Sequence, residues 1–173
     1  MQVLLPKKSL KKRKKKSFDL REQGMKLIFE HGEKTMKNNV YINTPVLDSK
    51  DLDEIFKSKY SENTEFDLIV GHGLLPPDTI VCVFLLAQSI GYNAAYDLIK
   101  FVLLGIWKAV TAKKDSKTSD ETKIQINLSD KNENEKVTNH KTITVSVSYK
   151  MDSDERQHVI DMALNSLLSG KTE

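Results

Sequence analysis

The residues best suited to chemistry in this sequence are a histidine between two glycines and, a little later, the chain's single cysteine. Gly71-His72-Gly73 follows a predicted strand, and Asp78 and Cys82 come shortly after it. A nucleophilic pair would need the Cys82 thiol to point at His72 and a third group to orient the imidazole. Cys82 falls inside a predicted apolar helix, where a free cysteine usually acts as a small hydrophobic side chain. We therefore expect a structural turn with an exposed His72, and we keep a small enzyme with a site near His72 as one alternative.

Other motifs for metals and phosphates are incomplete. The four histidines are scattered, and none pairs with another His or with Cys82 at a metal-ligand spacing. The acidic segment Asp48–Glu54 lacks the glycine and the final glutamate of a calcium-binding loop, so we interpret it as a solvated helix start. No Gly-Lys-Ser/Thr sequence follows Gly73, as a phosphate-binding loop would require. A single cysteine excludes an internal disulfide framework. We therefore predict no metal site, no cofactor and no catalytic residue.

Positive charge is concentrated at the start of the chain. Residues 1–17 contain eight basic residues and no acidic residue. The eight are Lys7, Lys8, Lys11, Lys12, Arg13, Lys14, Lys15 and Lys16. Since Lys and Arg total 27 and Asp and Glu total 24, the rest of the chain is acidic. A nucleic-acid-binding domain normally has a basic face on its folded body, so polyanion binding is expected from this tail alone.

This basic tail predicts contacts with phosphates rather than bases, because it has no aromatic side chain on which a base could stack. Binding would be sensitive to salt and indifferent to nucleotide sequence. The tail also fits a nuclear-localisation signal, a patch for anionic membranes or a dispensable extension. A block of like charges stays disordered in isolation, and Met25–Phe29 looks like the start of a first strand. We expect residues 1–24 to be a basic disordered extension and residues 25–173 to form a single domain.

Hydrophobic patterning predicts three strands and a short helix in the first half of that domain. Runs of β-branched and aromatic residues predict strands at Lys26–His31, Val40–Ile42 and Phe66–Val70. Leu52, Ile55 and Phe56 recur at helical spacing, which predicts a helix over Lys50–Lys59. The glycines and prolines of Gly71–Pro77 predict a turn.

A strongly apolar segment follows and predicts a central helical hairpin. Its first helix is expected over Thr79–Ile90 and its second from Asn93 to about Ala112. The uncharged run Thr79–Tyr96 is near the lower length limit of a membrane span, but polar residues and a glycine interrupt it. We therefore expect the hairpin to be buried in a soluble domain, with membrane association as the alternative.

The last third of the chain predicts a hairpin of strands and a closing helix. A polar linker is expected at about residues 113–122. Strict alternation of apolar and polar residues predicts half-buried strands at Ile124–Leu128 and Ile143–Tyr149. The polar stretch Ser129–His140 predicts a mobile tip between them, and Ser153 is placed to cap the final helix. The whole order predicts an α+β fold, with a small mixed or antiparallel sheet covered by helices.

Several of these features occur together in one known family. In chain order they are the short helix Leu52–Phe56, the strand Phe66–Val70, the turn Gly71–Pro77, a glycine-broken apolar helix pair ending near Trp107, and Lys113-Lys114. Two alternating strands and a Leu-rich helix complete a match over about Met25–Gly170. This order resembles the effector-associated constant component family of bacterial conflict systems. The resemblance implies a non-catalytic companion of immune effectors, and it supplies no site residues.

Taken together, these patterns predict a non-enzymatic protein-interaction module in the cytoplasm. Its apolar helix pair or its sheet edge would dock a protein partner or a second copy of the chain. Nucleic-acid or other polyanion binding through the tail is the alternative from a different class.

Overall fold

The computed structural model describes residues 36–69, 75–76, 78–113 and 121–170, all within the unit Met36–Glu173. In chain order the elements are β1 (Asn38–Asn43), α1 (Asp53–Phe56), a 3₁₀ turn (Lys59–Glu62), β2 (Thr64–Ile69), β3 (Thr79–Ala87), α2 (Tyr92–Ala112), β4 (Glu121–Lys131), β5 (Val137–Ser148) and α3 (Ser153–Leu168). The predicted strand Lys26–His31 and the predicted domain boundary at residue 25 lie outside the described residues, as does most of the turn after β2 and of the polar linker.

The described strands form one mixed sheet in the order β2-β1-β3-β4-β5. β1 and β2 are parallel and are connected through α1, whereas β3 and β4 are parallel and are connected through α2. The pairs β1–β3 and β4–β5 are antiparallel. This arrangement confirms the predicted α+β fold with a small mixed sheet.

One face of this sheet packs against the hydrophobic core across its whole width. Side by side in the register of the five strands lie Leu68, Ile42, Cys82, Ile126 and Ile143. They join a single hydrophobic cluster with residues of all three helices, such as Ile55 of α1, Leu103 of α2 and Leu164 of α3. The helices therefore cover this face, which we call the first face of the sheet.

The predicted central helical hairpin is wrong, because its first helix is a strand. The segment predicted as a helix over Thr79–Ile90 forms β3, which lies between β1 and β4. Ile80, Val81 and Val83 are β-branched and favour an extended backbone. Strand positions on both faces of β3 are apolar, so the strand shows no alternation from which it could be distinguished from a buried helix. Among the described helices, none combines the length and the apolar character needed to cross a membrane.

The paired strands of the β4–β5 hairpin extend further towards its tip than predicted. The stretch Ser129–His140 contains the ends of both strands, so the connection shortens to residues 132–136. The side-chain oxygen of Asn132 accepts two backbone N–H groups of this connection. A register shift between Leu128 and Asp130 marks a β-bulge close to the tip.

The three observed helices lie in segments that were predicted as helices, but their ends differ from the predicted ones. Helix α1 is shorter than the predicted Lys50–Lys59. The final helix is capped by Asp152 rather than Ser153. The Asp152 carboxylate accepts the N–H groups of Asp154 and Glu155, and the Glu155 carboxylate accepts the N–H of Asp152. This capping box satisfies three backbone donors, and its acidic groups suit the positive end of the helix.

Candidate interaction surface

Most residues that the sequence singled out for function lie outside the described part of the chain. The basic residues of the tail, Lys7 to Lys16, and the turn residue His72 belong to this group. Cys82 is described, and it lies on β3 with its side chain fully buried in the first face of the sheet. Burial raises the pKa of the Cys82 thiol to about 12. Near neutral pH the thiol is therefore neutral, and it packs as a small hydrophobic group.

Charged side chains in the helix layer form ion pairs between α2 and the segment that contains α1. Lys113, just after α2, contacts Asp48 and Asp51 in the loop before α1. Lys108 Nζ lies 2.8 Å from Glu54 Oε2 of α1. Backbone N–H groups, that of Asp51 first, lower the pKa of Asp48. The acidic segment interpreted as a solvated helix start therefore also forms ion pairs with Lys108 and Lys113, at the C-terminal end of α2. Among the described residues, no three His, Cys, Asp or Glu side chains are grouped so as to hold a metal ion.

A second polar cluster joins α2 to α3. Asp161 Oδ1 accepts hydrogen bonds from the Tyr96 hydroxyl at 2.6 Å and from Gln157 Nε2 at 2.8 Å, and it lies 3.0 Å from Lys100 Nζ. Desolvation acts against the charge on Asp161, but these three donors outweigh it and lower the pKa of that carboxyl. The hydrogen bond to Asp161 raises the pKa of Tyr96. The cluster therefore keeps an ionised aspartate and a protonated tyrosine between two helices, and it stabilises their packing.

A serine and a histidine meet at the β-bulge on the opposite face of the sheet. His140 Nδ1 lies 2.9 Å from Ser129 Oγ, and His140 Nε2 lies 3.2 Å from Thr142 Oγ1. A nucleophilic site uses such a serine–histidine contact, but Ser129 is only 3% exposed. The contact depends on the β4–β5 register and on the bulge, so no local sequence pattern predicts it. Because the hydroxyl is buried, we interpret the contact as a brace of the hairpin.

The second face of the sheet lies opposite the helices and is apolar in its centre. In one row across the five strands lie Asp67, Tyr41, Val83, Asn127 and Thr142. Val83 and its neighbours Val81 and Leu85 on β3 are half-buried. Towards β5 the side chains become polar, and Thr144 and Ser146 are exposed. The three described helices contribute their buried residues to the first face, so none of them covers the second.

The two edges of the described sheet differ in length and in charge. β2, at one edge, has six residues and carries Glu65 and Asp67, both exposed on the second face. Glu65 lies 3.6 Å from Lys37 Nζ and accepts a hydrogen bond from Asn39. A short edge strand with charged side chains pairs poorly with another chain. The β2 edge therefore has the features of a protected edge.

β5, at the other edge, is long and largely uncharged. It has 12 residues, and its stretch Lys141–Ser148 pairs with β4 residue by residue without a bulge. The residues from Thr142 to Ser148 carry no charge. Alternate N–H and C=O groups of an edge strand point away from its neighbour, and among the described strands only β4 pairs with β5. We call the outer side of Lys141–Ser148 the β5 edge.

No protein-family model, curated protein or solved structure matches this chain. We therefore infer a function from the surfaces of the described residues. Of these surfaces, the β5 edge combines length, regular pairing and the absence of charge, which are the properties that favour recognition by another strand.

Proposed function

We propose that the chain is a non-enzymatic protein-interaction module that binds its partner by strand addition at the β5 edge. The observation that carries this proposal is the uncharged, regular stretch of β5 that no other described strand pairs on its outer side. In strand addition the partner's backbone forms hydrogen bonds with the edge, and side chains on alternate positions select the partner.

The side chains of β5 have different roles on the two faces of the sheet. Val145 and Val147 point to the first face and are buried, so they fix the strand on the helix layer. Thr142, Thr144 and Ser146 point to the second face and are exposed. β-branched side chains such as threonine favour pairing with a neighbouring strand. An added strand would thus pair with an edge that is packed on the helix layer and has a row of small hydroxyl side chains on the second face.

The resemblance to the effector-associated constant component family is the basis for proposing a class of partner. A companion of immune effectors in a bacterial conflict system would bind an effector protein. That resemblance depends on element order, and one of its matched elements, the first helix of the apolar pair, corresponds to β3. The proposal of strand addition depends on the β5 edge and stands without it.

The experiment compares capture of partners by three forms of the full chain. The edge variant Thr142→Lys/Thr144→Lys places two charges beside the β5 edge. The matched control Gln125→Lys/Asn127→Lys places the same charges on the same face, on the β4 residues opposite Thr144 and Thr142. We expect a protein captured by the parent to form a binary complex when both components are purified. The complex should be lost with the edge variant and kept with the control, and a complex that the edge variant retains would refute strand addition.

Polyanion binding by the tail is a second candidate function. It is favoured by the segregation of eight basic residues into the first 17 residues of a chain whose remainder is acidic. It involves a different part of the molecule from the β5 edge, so the two functions are compatible and are tested separately.

A further inference from the structure

We infer that the strand added at the β5 edge is β5 of a second copy of this chain, which gives a symmetric dimer with a continuous sheet. The inference depends on the proposed function, because it names the partner of that same edge. In such a dimer the two β5 strands run antiparallel about a two-fold axis perpendicular to the sheet, and both helix layers lie on the same side.

The faces of the two sheets restrict the register. Side chains on a strand alternate between faces, so an antiparallel pair in one continuous sheet must place first-face residues opposite first-face residues. The two-fold axis therefore passes through a residue pair rather than between residues. The bulge-free stretch Lys141–Ser148 is centred on Thr144 and Val145, and we assign the axis to the Thr144 pair. Ile143 then lies opposite Val145, and Thr142 lies opposite Ser146.

This register brings no like charges together. Lys141 lies opposite Val147 and His140 opposite Ser148, so no cation faces a cation directly. Shifting the axis to Ile143 or Thr142 places Lys141 opposite Val145 or Ile143, which again avoids a clash of like charges. Like charges directly opposite one another destabilise a strand pair. The β5 edge is therefore compatible with itself over several registers.

The β2 edge provides the contrast. A symmetric pairing centred on Phe66 would place Glu65 opposite Asp67 of the other copy. Centring it on Glu65 or on Asp67 would place two identical carboxylates opposite each other. All three registers bring like charges together on a strand of six residues. Self-pairing is thus opposed by charge at one edge of the sheet and by nothing comparable at the other.

The test is sedimentation equilibrium of the purified full chain over a series of concentrations. We expect the parent to approach about 39 kDa, twice its 19.7 kDa, and the variant Thr142→Lys/Thr144→Lys to remain a monomer. The control Gln125→Lys/Asn127→Lys should dimerise like the parent. Its added charges lie one strand inward on each copy, beyond the Debye length of about 8 Å from one another at physiological salt.

A charge-swap experiment excludes misfolding as the cause of a monomer. Thr142→Glu/Thr144→Glu should also be a monomer alone, and mixing it with the lysine variant should restore a dimer, because opposite charges then face each other. A parent that stays monomeric, a lysine variant that still dimerises, or a mixture that does not associate would each overturn the inference. A monomeric parent that binds a different protein through the β5 edge would reject the second copy as occupant while the proposed function survives.

Discussion

Gly105 of α2 lies directly against Ile55 of α1. A methyl group on residue 105 would lie 2.7 Å from Ile55 Cγ1 and 2.8 Å from Ile55 Cδ1. Ile55 is only 1% exposed, so its side chain has little room to move away. The absence of a side chain at residue 105 therefore sets how closely α1, which connects the parallel strands β1 and β2, approaches the long helix α2.

We predict that Gly105→Ala destabilises the protein despite the better helix propensity of alanine. Overpacking against Ile55 should cost about 1–3 kcal/mol, whereas alanine in a helix gains about 1 kcal/mol over glycine. In the Ile55→Ala background the clash is absent, so the same substitution should become stabilising. Urea unfolding of the four proteins measures the double-mutant cycle. If the changes in the free energy of unfolding are additive, residue 105 and Ile55 are not in steric conflict, which would contradict the prediction.

The second prediction concerns the pH dependence of stability at Asp161. Its pKa is lower in the folded protein than the ordinary 3.8, so the unfolded chain binds the proton first as the pH falls. The stability from the charged carboxylate is present above about pH 3.8 and is lost as the pH falls through the folded pKa. Asp161→Asn keeps an oxygen that accepts from Tyr96 and removes the charge.

The parent should therefore be more stable than Asp161→Asn at neutral pH, and this difference should shrink in acid. Thermal unfolding of both proteins from pH 7 to pH 3 measures it. Asp97→Asn is the matched control, since it removes a carboxylate from an exposed position of α2. An Asp161→Asn variant whose stability differs from the parent by the same amount at every pH would contradict the assignment.

Cys82 should be protected from thiol reagents in the folded protein. Its side chain is fully buried, and a thiol whose pKa is about 12 forms almost no reactive thiolate at pH 8. Mass spectrometry after alkylation reports on one site, because the chain has a single cysteine. Labelling should begin only in denaturant, whereas Lys123→Cys, at an exposed position of β4, should be labelled at once. Rapid labelling of the native parent at Cys82 would contradict its place in the core.

The basic tail predicts salt-dependent binding to nucleic acids of any sequence. Affinity should fall steeply between about 50 and 200 mM salt, because neutralising phosphates releases counterions. Replacing the eight basic residues of the tail by glutamine should abolish this binding. It should leave the melting temperature unchanged, since a block of like charge contributes nothing to a core. Fluorescence anisotropy with two unrelated duplexes measures the first effect, and binding that selects one sequence would refute the phosphate-driven account.

The sequence is sufficient to predict strands whose two faces differ in polarity. β4 and β5 alternate between apolar and polar residues, and both were predicted from this pattern. β3 was predicted as a helix, because Val81, Val83 and Leu85 extend the apolar run to its second face. Its strand conformation is determined by pairing with β1 and β4, from which it is separated by long stretches of chain. Such long-range pairing overrides a local pattern that fits a buried helix equally well.

The sequence could suggest a sheet edge as a docking surface but could not say which strand forms it. The order β2-β1-β3-β4-β5 places the last strand at one edge and the second at the other. The alternation along Ile143–Tyr149 shows only that one face of that strand is buried. For the same reason, the contact between Ser129 and His140 was not foreseen. Both features depend on which strands become neighbours, and a local pattern contains no such information.

Amide hydrogen exchange along β5 tests the central claim most directly, because strand addition must protect backbone N–H groups that otherwise point to solvent. We predict that peptides covering residues 141–148 of the parent exchange more slowly as the protein concentration rises. In Thr142→Lys/Thr144→Lys the same peptides should exchange at a rate independent of concentration. Peptides covering β2 serve as an internal control and should behave alike in both proteins. Exchange in β5 that is independent of concentration and equal in the parent and the variant would contradict the claim that this edge binds a second copy of the chain.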